Sequence, residues 1–406
     1  MKAYERLLRY VAYRTPSDES SNTHPSSACQ FRLAEALVEE LKELGVNDAM
    51  VDEHCYVYGH IPASPGCENV TPIGLIAHMD TVADYCDHDT VPVITENYDG
   101  KALPLGDSGL VLDPQVFPHL KELKGQTLIT TDGTTILGAD DKAGIAEIMT
   151  VVEELAGDHG PISIAFTPDE EIGTGALQFD VDRFGAKYAY TLDGDLEGSI
   201  EYETFNAAQA RIHVHGEAVH PGTAKGVMVN AALVAMEFNS LLPAAERPER
   251  TEGYDGFYHL TGMSGNVAEA HLSYIIRDHS DVMLESRKYT MELAASFLNE
   301  RYGEGTVEVT IRDQYRNMAE VIRQHPVTVE YAKQASQAAG MEPLVKPIRG
   351  GTDGSHLSFM GLPCPNLGTA GAAYHGPYEH ITAEGMDKVV SMLHALIRIY
   401  TENPEA

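Results

Sequence analysis

At 406 residues the chain exceeds what one compact core of ordinary size needs, so two domains are expected. Its 28 Lys and Arg against 61 Asp and Glu give a formal charge of −33, which excludes nucleic acid and anionic lipid as favoured partners. Hydrophobic residues at 43% and charged residues at 22% are globular rather than disordered composition, and no stretch is apolar enough over enough length to span a bilayer.

The first residues, MKAYERLLRYVAY, carry charges at Lys2, Glu5, Arg6 and Arg9 that interrupt any signal-like apolar core. Cys29, Cys55, Cys67, Cys86 and Cys364 are odd in number and widely spaced, which suggests neither a disulfide framework nor a thiolate zinc site. A reducing cytoplasm is the expected compartment. Residues 30–45 show helical apolar spacing at Ala34, Leu37, Val38, Leu41 and Leu44, ended by Gly45. Short apolar runs bounded by turns follow at 73–77, 127–131, 162–166 and 188–192, with a helical stretch at 142–154. Their alternation predicts an α/β domain with a mainly parallel sheet. The pattern changes after residue 206: strand-like 210–215, 270–276 and 306–311 alternate with helical 230–242 and 283–298, and 243–256 reads as an exposed loop. This predicts a smaller inserted α+β domain over 207–318, flanked by a first domain made of 1–206 and 319–406.

In an open α/β sheet ligands collect at the carboxyl ends of strands. There the sequence places His78 and Asp80, the Asp140-Asp141 pair, Asp169, Glu170 and Glu171, and Asp193 and Asp195. A carboxylate at one strand end is usually a cap or turn residue, but four such ends in one sheet form a pattern. Histidine with several carboxylates is the donor set of a hydrolytic metal centre. Two ions ~3.5–4 Å apart would each need a histidine and a terminal carboxylate, with one more carboxylate between them. A second histidine is available late, at His375 or His380. His375 sits where a strand gives way to a turn, whereas His380 is expected at the surface.

The runs His78-Met79-Asp80, Thr131-Asp-Gly-Thr-Thr-Ile-Leu-Gly-Ala-Asp-Asp-Lys-Ala-Gly144, Asp169-Glu-Glu-Ile-Gly173 and Leu192-Asp-Gly194 resemble those of dinuclear zinc exopeptidases and amide hydrolases. Adding Val219-His-Pro-Gly-Thr-Ala-Lys-Gly-Val-Met-Val-Asn230, Glu252-Gly-Tyr-Asp-Gly-Phe-Tyr-His-Leu260, Ile348-Arg-Gly-Gly-Thr-Asp-Gly354 and Leu362-Pro-Cys-Pro-Asn366 makes the chain resemble the peptidase T family of cytoplasmic tripeptide aminopeptidases. The resemblance runs from the first helix to the last. It implies a zinc-exopeptidase catalytic domain with an inserted lid and dimerisation domain, and two zinc ions, replaceable by cobalt. His78 and Asp193 would hold one ion, Glu171 and His375 the other, and Asp140 would bridge, with a cis peptide after it.

The same resemblance makes Glu170 the general base that takes a proton from the attacking water and delivers it to the leaving amine. Asp80 would accept the proton on the far nitrogen of His78. His220, in a loop of the insertion, would stabilise the oxyanion, often from a partner subunit. Arg277 and Arg349 are candidates for binding a peptide carboxylate; Arg277 could instead pair with Asp278 or Asp281. The chain departs from the family pattern at Tyr378, where that pattern has histidine. The expected function is release of the N-terminal residue from tripeptides, with a related dipeptidase, an N-acylamino acid deacylase or a non-catalytic metal-binding protein as rivals. Small peptides are the expected partners, with a homodimer possible through the lid.

Overall fold

The computed structural model describes residues 1–405. The chain divides into two compact units, one of Met1–Tyr202, Met318–Lys346 and the chain from Thr352 on, the other of Glu203–Asn317 and Pro347–Gly351.

The first unit is built on an eight-stranded sheet. Its centre is parallel: Ile162–Thr167, Ile73–His78, Tyr188–Gly194 and Asn366–Gly368 lie side by side in that order. Every residue of the Ile73–His78 and Ile162–Thr167 strands is buried, as expected of parallel strands covered on both faces. Met50–Val51 and Val57–Ile61 close one edge, Ser199–Glu201 and Leu344–Val345 the other. The helix Ala139–Glu154 is buried nearly all round, on Ile145, Ile148, Met149 and Val152 among others, because it packs between the sheet and the helices Ala3–Tyr10 and Ala383–Glu402. Gly144 makes this packing close: a Cβ there would lie 2.2 Å from the Leu192 carbonyl oxygen.

One strand read into the parallel sheet belongs elsewhere. Leu128–Thr131 pairs antiparallel with Pro92–Thr95 and with His380–Thr382, in a separate four-stranded sheet that Gly371–Ala372 completes. Its partners lie far along the chain in both directions, which local periodicity does not report.

The second unit is a four-stranded antiparallel sheet, ordered Phe257–Gly265, Glu269–Asp278, Asn206–His215, Val307–Tyr315. Alternate residues such as Ala210, Ile212, Val214, Leu272 and Ile276 form a core with Phe238 of the helix Ala231–Leu241 and Met291 and Leu298 of the helix Asp281–Tyr302. The outward residues of the sheet remain exposed or half-buried. No helix among the described residues is long and apolar enough to cross a membrane.

Candidate active site

His78 is the last residue of its strand, and the neighbouring strand stays in register with it through Thr167. Beyond Thr167 the chain turns sharply. Asp169 takes a left-handed backbone, φ 58°, and its buried carboxylate accepts hydrogen bonds from the Ser26 amide, the Ser26 hydroxyl and Gln30 Nε2. The short 3₁₀ turn Glu170–Ile172 starts from that anchored residue.

Asp80 ties this turn to the histidine. Its two carboxylate oxygens accept the Glu170 and Glu171 amides at 3.0 and 3.2 Å, and Oδ1 lies 3.4 Å from His78 Nδ1. The Asp80 carbonyl oxygen is 3.1 Å from the same nitrogen. With acceptors on that side, His78 keeps a proton on Nδ1, which leaves Nε2 as the atom it turns to the pocket.

Asp140 enters at the start of the Ala139–Glu154 helix, next to a cis Asp140–Asp141 peptide. Its Oδ1 is 3.0 Å from His78 Nε2 and its Oδ2 is 3.1 Å from His375 Nε2. His375 Nε2 is also 3.1 Å from Glu171 Oε2, and Asp193 Oδ1, at the end of the Tyr188–Gly194 strand, is 3.5 Å from His78 Nε2. The six side chains His78, Asp140, Glu170, Glu171, Asp193 and His375 thus share one pocket, with one Asp140 oxygen towards each imidazole. His375 is about half exposed, in a left-handed turn, so the pocket opens on that side.

The electrostatics ask for positive charge. Burial, with Asp140 adding repulsion, pushes the Glu171 carboxyl up to about 7, and burial pushes Asp193 up to about 6. Burial also raises Glu170 well above the carboxylate range, with Asp193 next in effect. Burial would raise Asp140 too, but hydrogen bonds from His375 and His78 outweigh it and hold that carboxyl below its usual value. Hydrogen bonds with Asp140 and Glu171 push His375 up to about 10, and burial of His78 is outweighed by Asp193 and Asp140, so its value rises as well. Carboxylates that retain protons beside imidazoles that gain them mark a site short of cationic charge. Divalent cations fit: the donors are nitrogen and oxygen, and bonds of ~2.0–2.1 Å in tetrahedral geometry put neighbouring donors about 3.3 Å apart. The 3.0–3.5 Å separations are of that size.

A scan against family models matches residues 131–399 to the peptidase family M20/M25/M40. The chain belongs to that family. The peptidase T of Caldanaerobacter subterraneus subsp. tengcongensis is 51% identical over 404 residues, 98% of each chain. Among solved structures, a tripeptidase from Staphylococcus aureus superposes with a TM-score of 0.78 at 21% identity, over 99% of this chain and 98% of that one. A Bacillus subtilis member of the M20 family, described as a dinuclear metal-binding peptidase, superposes at 0.63 with 15% identity over 98% of this chain and 99% of that one. Metal dependence is a property of the family, and this M20 chain carries a pocket with the donors for it.

Three further residues hold this M20 pocket in shape. Glu379, four residues after His375, is buried and accepts the Gly138 and Asp140 amides at 2.7 and 2.9 Å. Asp141 accepts the His78 amide on one oxygen and the Gly144 amide on the other. Asn366 takes the Asp193 amide and donates to the Asp193 carbonyl.

His380 corrects an expectation. It is buried at 1% exposure, stacked on His119 with centroids 5.0 Å apart, and its Nε2 is 2.8 Å from His119 Nε2. Its Nδ1 donates to the Tyr378 carbonyl oxygen, and burial pulls its pKa down to about 4. The strand it belongs to carries it inward, which the polar sequence around it does not disclose.

Three candidates lie in the second unit. His220 is exposed and accepts the Gly222 amide within its own loop. Arg277 forms neither expected ion pair: its Nη1 donates to the Ala208 and Ile276 carbonyls and its guanidinium lies over Tyr315, while Asp278 pairs with Arg287. Arg349 donates to the Gly253 and Asp255 carbonyls and to Thr251 Oγ1, and covers Phe205.

Proposed function

We propose that the chain is an aminopeptidase that releases the N-terminal residue of tripeptides at a centre of two divalent cations, zinc in the first instance. The observation that carries the metal part is the Asp140 carboxylate, which turns one oxygen to His78 and the other to His375. The substrate part rests on relatives named peptidase T at half identity over nearly the whole chain.

His78 and Asp193 would hold one cation, His375 and Glu171 the other, and Asp140 both. When bound, the cations lower the pKa of water and polarise the scissile carbonyl. Glu170 accepts the proton of the attacking water and delivers it to the leaving amine, so peptide and water become a free amino acid and a dipeptide. Asp80 orients His78 and, through the Glu170 and Glu171 amides, fixes base and ligand together. His220 would donate to the carbonyl oxygen as charge develops there. Arg277, whose described hydrogen bonds use Nη1 alone, is better placed to receive a substrate carboxylate than Arg349, which spends its donors on its own loop. A homodimer through the second unit and a cytoplasmic location complete the reading.

The test is removal and return of metal. Chelation should abolish hydrolysis of a free tripeptide, and zinc or cobalt should restore it. Activity that survives proven loss of metal would overturn the mechanism.

A further inference from the structure

The second unit gathers three imidazoles and two carboxylates on the outward face of its sheet, none of them a residue of the pocket described above. His213 and His215 alternate along the Asn206–His215 strand and so point to the same side. In register, His213 faces His271 and His215 faces Glu269 on one neighbouring strand, while Glu308 faces His213 from the other. The intervening residues Ile212, Val214 and Ala270 point the other way, into the core.

The rings are in contact. His213 and His271 stack with centroids 4.4 Å apart at 19°, and His215 lies 4.0 Å from His213. Glu269 Oε2 stands 3.9 Å from His213 Nε2 and 4.0 Å from His271 Nε2, and Glu308 Oε2 is 3.6 Å from His215 Nε2. His213 Nε2 is shielded from solvent and has no hydrogen-bond partner among the described residues, an orphan that a bound ion would satisfy. The donor atoms of His213, Glu269 and His271 lie within 4.8 Å of one another, as do those of His213, His215 and Glu308. Bonds of ~2.0–2.2 Å to one ion would draw these donors closer together.

We propose that this face binds one divalent transition-metal cation, of the class zinc, nickel or copper, through His213, His271 and Glu269, with His215 within reach as a fourth ligand. Imidazole-rich donors select these ions. Calcium and magnesium need more oxygen than the cluster offers. Such an ion would clip the two central strands of the sheet together, and its binding is independent of what the carboxylate pocket does.

The test counts nickel bound to the full chain by equilibrium dialysis at micromolar free nickel, for the wild type and for H213N/H271N. Both proteins share the carboxylate pocket, so the difference isolates this face. The wild type should hold one ion more, Glu269→Gln should weaken that ion by more than about tenfold, and tripeptide hydrolysis should be unchanged in all three. If the double variant unfolds early, the exposed single variant His271→Gln replaces it with the same expectation. Equal counts, or a difference that emerges only at millimolar nickel, would overturn the proposal.

Discussion

Glu170 and Glu147 are both acids raised by burial, yet they stand in different chemical company. Glu170 faces His78 and Asp193 in the pocket, and Glu170→Gln should retain its metals while turnover falls by about 10²–10⁴, because a carboxamide cannot take the proton. Metal content and kcat measured on one preparation check this. Glu147 is fully buried on the Ala139–Glu154 helix, and neither carboxylate oxygen has a hydrogen-bond partner among the described residues. Its burial raises the carboxyl well above the usual range, so the folded state favours the neutral form. The sign follows: folding is helped below the unfolded value of ~4.3 and penalised as pH rises through the raised folded value. Glu147→Met should therefore stabilise the protein by about 1–3 kcal/mol at pH 8 and by less at pH 4, as denaturant melts at the two pH values would show. Of the proposed ligands, His78 and Asp193 stood out in the sequence because each directly follows an apolar run; Asp140 and Glu171 lie farther into the loops after such runs, and the ligand roles, that of His375 included, came with the resemblance. The burial of His380 was not legible, since the partner that encloses it, His119, comes from 261 positions away.

At the scale of elements, the approach of the Ala139–Glu154 helix to the Tyr188–Gly194 strand sets the distance between Asp140 and Asp193. Gly144 permits that approach, since a Cβ would lie 2.2 Å from the Leu192 oxygen and 2.6 Å from Asp141 Oδ1. Gly144→Ala should cost about 1–3 kcal/mol by overpacking and lower the metal retained after dialysis. An unchanged melt with full metal content would mean that the helix moves without consequence for the pocket. The helices at 30–45, 142–154 and 283–298 were readable from their apolar spacing, and the central strands from their apolar runs. Which sheet the 127–131 run joins was not readable. A strand of threonine and leucine suits either sheet, and its hydrogen bonds go to residues 92–95 and 381–382.

For the whole molecule, an overall charge of −33 includes a buried share that becomes tolerable only with protons or cations. In metal-free protein Glu171 holds a proton up to about 7, Asp193 up to about 6 and His375 up to about 10. Metal must displace those protons, so affinity should fall as pH drops, on the order of 100-fold per unit below pH 6, where at least two must leave. Proton release on adding zinc to stripped protein in weak buffer at pH 6 measures this directly, and its absence would place the metal elsewhere. The central claim, that the pocket hydrolyses tripeptides from a free N-terminus, is tested most directly by a panel of di-, tri- and tetrapeptides with free and blocked amino groups, offered to zinc-reconstituted protein. The account predicts that free tripeptides are cleaved fastest, each yielding its N-terminal residue and a dipeptide. Faster cleavage of N-acylated substrates would contradict it and make the chain a deacylase.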